Sequence, residues 1–158
     1  MTSDLSEPLQ RENQGNSQNF LTVIVAGQRF GIPILQVQDV LGQQRVTRVP
    51  LAPAEVAGSL NLRGRIVTAI DVRKRLSLAP RDASQAKEMS VVVEHENELY
   101  SLVIDQVGDV LMLEDDTFEN TPGTLDPLWR EISSGVYRLK GELLVILDVP
   151  KFLNTVHV

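Results

Sequence analysis

Two aspartates, Asp71 and Asp148, stand 77 residues apart in matching surroundings, and a pair of carboxylates is what a hydrolase needs for general acid–base work. Each follows a run of strand-forming residues, 65–70 or 142–147, and precedes a short stretch of helical spacing, 72–76 or 149–153. That is the position of a helix N-cap, so capping is the role the spacing assigns them. The other carriers of chemistry are few. There is no cysteine, hence no thiolate nucleophile, no disulfide and no thiolate metal site, and the only histidines are His95 and His157. Neither histidine sits in a Ser–His–Asp arrangement, and Arg63-Gly64-Arg65 is too short to be a phosphate-cradling loop. Catalysis, a resident metal and a cofactor all lack a carrier, and the expectation is a binding protein that is not an enzyme.

Basic residues offer a second chemistry. Arg63, Arg65, Arg73, Lys74, Arg75 and Arg81 form a locally positive stretch, which raises a nucleic-acid-binding reading. Aromatic residues, the stacking platforms of such proteins, are scarce around it, and the net charge of −6 opposes a phosphate backbone. Arg73, Lys74 and Arg75 are therefore read as a solvated helix face. Arg63 is different. It precedes a strongly strand-like run and is flanked by Asn61, Leu62 and Gly64, where a planar guanidinium suits a bidentate carboxylate contact. That carboxylate belongs either to a partner or to the chain itself. Asp39 and Asp109 recur at matching places, in roles of fold or of binding.

These residues belong to a repeat. The twelve residues 30–41 return at 100–111 with six identities, and the fifteen residues 62–76 return at 139–153 with six more. Background composition predicts about one identity in twelve. Two similar subdomains follow, with a seam between them. Each copy opens with a hairpin, 20–25 to 30–32 around residues 26–29, and 90–94 to 99–104 around residues 96–98. Segments 34–40 and 104–110 each read as a helical turn entering a strand. Alternation marks 45–49 as a strand ended by Pro50 and Pro53. Segments 54–57 and 128–134 read as helical turns closed by Gly58 and Gly135. Gly64 and Gly141 mark tight bends before the central strands. Residues 77–88 form a linker. The polar segment 1–19 reads as a disordered tail. Residues 20–158 form the domain, with a first barrel and linker over 20–88 and a second barrel over 89–158. No apolar run approaches the length of a membrane span, and no signal peptide is visible, so the expected location is the cytoplasm.

Charge divides along the same line. Residues 19–88 carry ten basic and five acidic side chains, and residues 89–158 carry four basic and thirteen acidic. Opposite signs on two similar barrels predict an attraction between unlike copies.

Phe30-Gly31-Ile32, Val37-Gln38-Asp39-Val40, Val46-Thr47-Arg48-Val49-Pro50, Gly58, Asn61-Leu62-Arg63-Gly64 and Ile70-Asp71-Val72-Arg73 together resemble the CheW family of bacterial chemotaxis coupling proteins. The likeness runs from Phe20 to Leu153. It implies a mainly β fold of two five-stranded SH3-like barrels packed together, with short helices and a hydrophobic groove between the barrels. It also implies a non-catalytic scaffold recruited to membrane receptor arrays. Such a scaffold binds the cytoplasmic tip of chemoreceptors and the regulatory domain of the CheA histidine kinase, with no nucleic acid and no insertion into the membrane. Carried over residue by residue, the binding surfaces fall on Ile34, Val37, Asp39, Gly58 and Arg63, with Asn61, Leu62 and Gly64 completing the motif. Thr68 stands where many members have proline. An adaptor of another chemosensory system, controlling pili or a second messenger, is the neighbouring reading. A nucleic-acid-binding double β-barrel is the alternative of a different class.

Overall fold

The computed structural model describes residues 16–82 and 87–154. Strands β1 (Ser17–Val25) and β2 (Gln28–Pro33) form the first hairpin. A 3-10 turn, Ile34–Gln36, leads into β3 (Val37–Leu41). Strands β4 (Val56–Leu62) and β5 (Arg65–Asp71) form the second hairpin, and helix α1 (Val72–Arg75) follows. The second copy supplies β6 (Met89–His95), β7 (Glu98–Ile104), β8 (Gln106–Glu114) and β9 (Phe118–Glu119). It ends with helix α2 (Pro127–Ile132), β10 (Ser133–Leu139), β11 (Glu142–Leu147) and helix α3 (Val149–Asn154). Three hairpins turn on two residues with positive φ: Ala26-Gly27, Arg63-Gly64 and Glu96-Asn97. Mirror-image turns of this kind match the twist of the flanking strands.

The strands make two sheets, in the orders β8-β1-β2-β11-β10-β9 and β3-β6-β7-β5-β4. Two SH3-like subdomains are thus present, one with six strands rather than five. The expected division of the chain at residue 88 does not hold. Each repeat gives its leading hairpin to the sheet built by the rest of the other repeat. The exchange runs through two parallel contacts, Phe30 opposite Val145 and Val67 opposite Leu99. Because the copies are alike, pairing within or across them buries the same kinds of residue, and the sequence alone does not choose. The exchange also mixes the charges. Residues 34–104, which hold every strand of the second sheet, carry nine basic and eight acidic side chains, whereas residues 105–158 carry four and ten. One half is acidic and the other nearly neutral, so the two halves do not oppose each other in sign.

Central strands bury both faces. Val91 and Val93 of β6, with Leu102 and Ile104 of β7, join Val23, Val25, Phe30, Ile32, Val145 and Leu147 of the other sheet in one shared core. Their neighbours point the other way. Val92, Leu99, Val67 and Leu60 pack inside the second sheet, and Phe20, Tyr137, Leu144 and Ile146 inside the first. Runs such as Val91-Val92-Val93 are continuous rather than alternating for that reason. The seam between the two subdomains holds this packed core. Helices α1 and α3 close one side of it with Val72, Val149, Phe152 and Leu153.

Several local expectations change. Residues 17–19 open β1, with Ser17 opposite Glu114, so this part of the expected tail pairs along β8; residues 1–15 lie outside those described. The helical turn after the hairpin forms only in the first copy. In the second, Asp105 is anchored and the chain runs directly into β8. Only Thr47 of segment 45–49 pairs, with Ser59, because Arg45 to Arg48 are exposed and have no core to alternate against. Residues 56 and 57 already belong to β4.

Gly58 and Gly135 sit within strands, each beside a register shift, and not at helix ends. A Cβ on Gly58 would lie 2.5 Å from the Thr47 carbonyl oxygen, and one on Gly135 would lie 2.6 Å from that of Glu119. Each glycine thus lets an outlying segment approach the sheet edge. Replacing either by alanine forces backbone apart and is expected to cost about 2 kcal/mol. Urea melts of Gly58→Ala and Gly135→Ala check this. Losses of similar size in both are the expected result, since the two glycines do the same job.

Candidate functional site

The β4–β5 turn builds the exposed end of the second sheet. Arg63 and Gly64 take φ of 50° and 87°, and the Asn61 Oδ1 accepts the Gly64 N–H at 2.9 Å, which fixes the turn. From there the Arg63 guanidinium forms an ion pair with Asp39. Asp39 lies on β3, at the opposite edge of the same sheet, and its Oδ1 also accepts the Val40 N–H at 2.9 Å. One ion pair therefore ties the two edges of the sheet together. It is an open contact, with the Arg63 side chain 69% exposed. Exposed pairs contribute on the order of 1 kcal/mol or less. The guanidinium keeps free donors facing solvent.

The structure brings Asp39, Asn61, Arg63 and Gly64 together. It places the other sequence-derived residues elsewhere. Ile34 and Val37 are half-buried and pack against the shared core. Leu62 packs against the inner core of the second sheet, and Gly58 is buried under Thr47. These four belong to the packing of the fold and are not gathered at the Arg63 turn. Exposed apolar side chains escaped the sequence reading: Leu35 is 93% exposed and Ile66 70%. A signal for Leu35 was present in the repeat, where its counterpart is the charged Asp105.

Asp105 is the second center that sequence reasoning missed. Arg73 donates to it twice, from Nε at 3.0 Å and Nη2 at 2.6 Å, and Arg81 donates at 2.7 Å. The backbone N–H of Ala26, in the first hairpin turn, donates at 2.7 Å. One carboxylate thus joins α1, the linker and the β1–β2 turn. Arg73 and Arg75 are 8% and 7% exposed. Arg75 donates to the Phe152 carbonyl at 3.0 Å and stacks over the Phe152 ring. The expected solvated basic face on α1 is therefore wrong: two of its three cations are spent inside the fold, because Asp105 and the α3 backbone supply acceptors there. The nucleic-acid reading loses its patch with them. Asp71 and Asp148 accept backbone N–H groups of Lys74 and Lys151 and act as caps. His95 lies beside Glu96 at 3.8 Å. Among the described residues no cluster of acidic or histidine side chains is arranged to hold a metal.

A family profile described as the CheW-like domain matches residues 19–157. This chain belongs to the CheW-like family. The chemotaxis protein CheW of Klebsiella aerogenes is 32% identical over 139 residues, covering 87% of this chain and 82% of that protein. A probable chemotaxis protein CheW of Rhizobium etli is 26% identical over 137 residues, covering 87% of each. That of Helicobacter pylori is 25% identical over 158 residues, covering 96% and 94%. In fold, the chain is similar to the crystal structure of the scaffolding protein TtCheW from Thermoanaerobacter tengcongensis, with a TM-score of 0.74 and 24% identity over 84% of this chain and 89% of that one. Membership in the CheW-like family makes the chain a chemotaxis adaptor. No helix among the described residues is long and apolar enough to cross a membrane.

The Asp105 center sets a pH dependence. Burial raises the Asp105 pKa, but the Arg73 hydrogen bonds, the Ala26 N–H and the Arg81 charge outweigh it and hold the carboxyl below its ordinary value. Its unfolded pKa is about 3.9. The native state therefore binds fewer protons, and the stabilization is complete above that pH and lost as pH falls through the depressed native pKa. Asp105→Asn leaves buried Arg73 without its counter-charge and is expected to cost about 3 kcal/mol at neutral pH. Melting followed from pH 7 to pH 2 checks both points: the variant should melt lower at neutral pH, and the gap should close in acid.

Proposed function

We propose that the chain is a non-catalytic scaffold that couples membrane chemoreceptors to the CheA histidine kinase. The observation that carries this reading is the Asn61-Leu62-Arg63-Gly64 turn, held by its own hydrogen bond and by Asp39, on a chain of the CheW-like family. A rigid turn presents an arginine with unused donors, and such a group recognizes a carboxylate or carbonyl cluster on a partner at little entropic cost. The edge-to-edge pair holds the geometry of the surface, and the exposed Ile66 on the adjoining strand supplies apolar area beside it. The mechanism is positioning. Receptor tip and kinase regulatory domain are held in one assembly, at the membrane but not in it, so that the state of one biases the other.

Co-sedimentation of the full chain with a receptor cytoplasmic fragment and CheA tests the reading. Both partners should pellet with the chain, and failure of either to bind removes the coupling role. Arg63→Ala separates binding from folding. Because the pair is exposed, its loss should lower the melting temperature by no more than about 4 °C. Association with receptor or kinase should fall at least tenfold. A variant that melts far lower and still binds once folded would show Arg63 to be an internal anchor only.

A further inference from the structure

The repeat makes the mouths of the two sheets directly comparable. A cavity of about 230 Å³ opens at the first sheet and one of about 40 Å³ at the second. Their walls use the same repeat positions. Phe20 corresponds to Ser90, Tyr137 to Leu60, Ile146 to Ala69, and Phe118, paired to β10, to Val46 beside the Thr47–Ser59 bridge. Where the second mouth has no ring, the first has three. Phe20 and Phe118 lie 5.5 Å and 5.1 Å from the Tyr137 ring, centroid to centroid. Asp115 lines the same cavity, and its carboxylate has no hydrogen-bond or ion-pair partner among the described residues. Burial, and then the charge of Asp115, raises the pKa of the Tyr137 phenol, so the two groups act on one space.

We propose that this aromatic cavity, rimmed by Asp115, is a binding site for a guanidinium or alkylammonium group carried on a short apolar stem. Ring faces attract such cations, most strongly where water is excluded. Their stems cover apolar walls while the charged head stays at the rim. A carboxylate with no partner supplies the counter-charge, and the acidic half of the chain draws cations toward it. The volume is below the roughly 300 Å³ at which pockets begin to hold drug-sized ligands. The site therefore accommodates one side-chain-sized group. The contrast between the mouths sets the first apart, since the same repeat positions carry Ser90, Leu60, Ala69 and Val46 at the second.

The test uses the full chain and NMR of its aromatic side chains. Butylguanidinium should shift the Phe20, Phe118 and Tyr137 resonances and bind roughly five- to tenfold tighter than its neutral counterpart butylurea. Asp115→Asn should abolish that preference without changing the melting temperature. Phe118→Val, which installs the residue of the other mouth, should weaken binding by a similar factor. A peptide with one arginine, compared with the same peptide carrying citrulline, identifies the source. Tighter binding of the arginine peptide than of butylguanidinium points to a partner's side chain, and equal binding to a free organic cation. Equal affinity for butylguanidinium and butylurea, or no shift of the three rings with either, overturns the proposal.

Discussion

Burial of the central strands on both faces is the constraint from which the rest of this structure follows. A strand that packs one face into its own sheet and the other into a shared core cannot be moved without disturbing both. Leu144 and Val145, adjacent in β11, belong to different cores, as do Val92 and Val93 in β6. The exchange of hairpins strengthens this coupling. Each sheet is completed by the other repeat, so neither half of the chain retains a whole sheet after separation at the linker. The molecule is one cooperative unit, although its sequence reads as two. For a scaffold, that unity lets two surfaces on different sheets keep a fixed relation to each other.

Two ion-paired centers illustrate what burial does to the same chemistry. The Arg73–Asp105–Arg81 group is mostly enclosed and makes many hydrogen bonds, and it joins three segments that are distant in sequence. Its worth lies in what breaking it would leave behind, an unpaired buried charge. The Arg63–Asp39 pair is exposed, makes one contact, and contributes little stability. A residue held in place at small energetic benefit, with donors left over, is available to a partner. The exposed pair therefore lies where the fold depends on it least.

Local features of this fold were legible in the sequence because their causes are local. The hairpins, the two capping aspartates and the bends at Gly64 and Gly141 each follow from a few neighboring residues. The 77-residue offset of Gly58 and Gly135 also holds, but their role does not. A close approach by Thr47 or Glu119 comes from elsewhere in the chain, and nothing beside the glycine announces it. The hairpin exchange was hidden by the repeat itself, since equivalent hairpins offer equivalent partners. Arg73 and Arg75 were misread for a related reason. A run of cations looks solvated until its acceptors are known, and these are Asp105, 32 residues on, and the Phe152 carbonyl, 77 residues on. Of the candidate site, Arg63 and Asp39 were legible as separate groups, and their pairing across the sheet was not.

The repeat finally provides an internal reference for function. Some residues that agree between copies do the same structural work: Asp71 and Asp148 cap, and Gly58 and Gly135 make room. Residues that differ separate the two ends, in internal anchors as well as in exposed groups. Arg63 becomes Lys140, and no ion pair forms between Lys140 and Asp109, whose backbone carbonyl instead accepts the Thr22 hydroxyl at 2.7 Å. Leu35, fully outward, becomes Asp105, fully engaged. Phe20, Phe118 and Tyr137 gather at one mouth, where Ser90, Val46 and Leu60 line the other. Duplication fixed a common frame with two equivalent ends, and the frame tolerates change wherever the shared core is not involved. An edge-tying arginine at one end and an aromatic cavity at the other make the two ends chemically distinct.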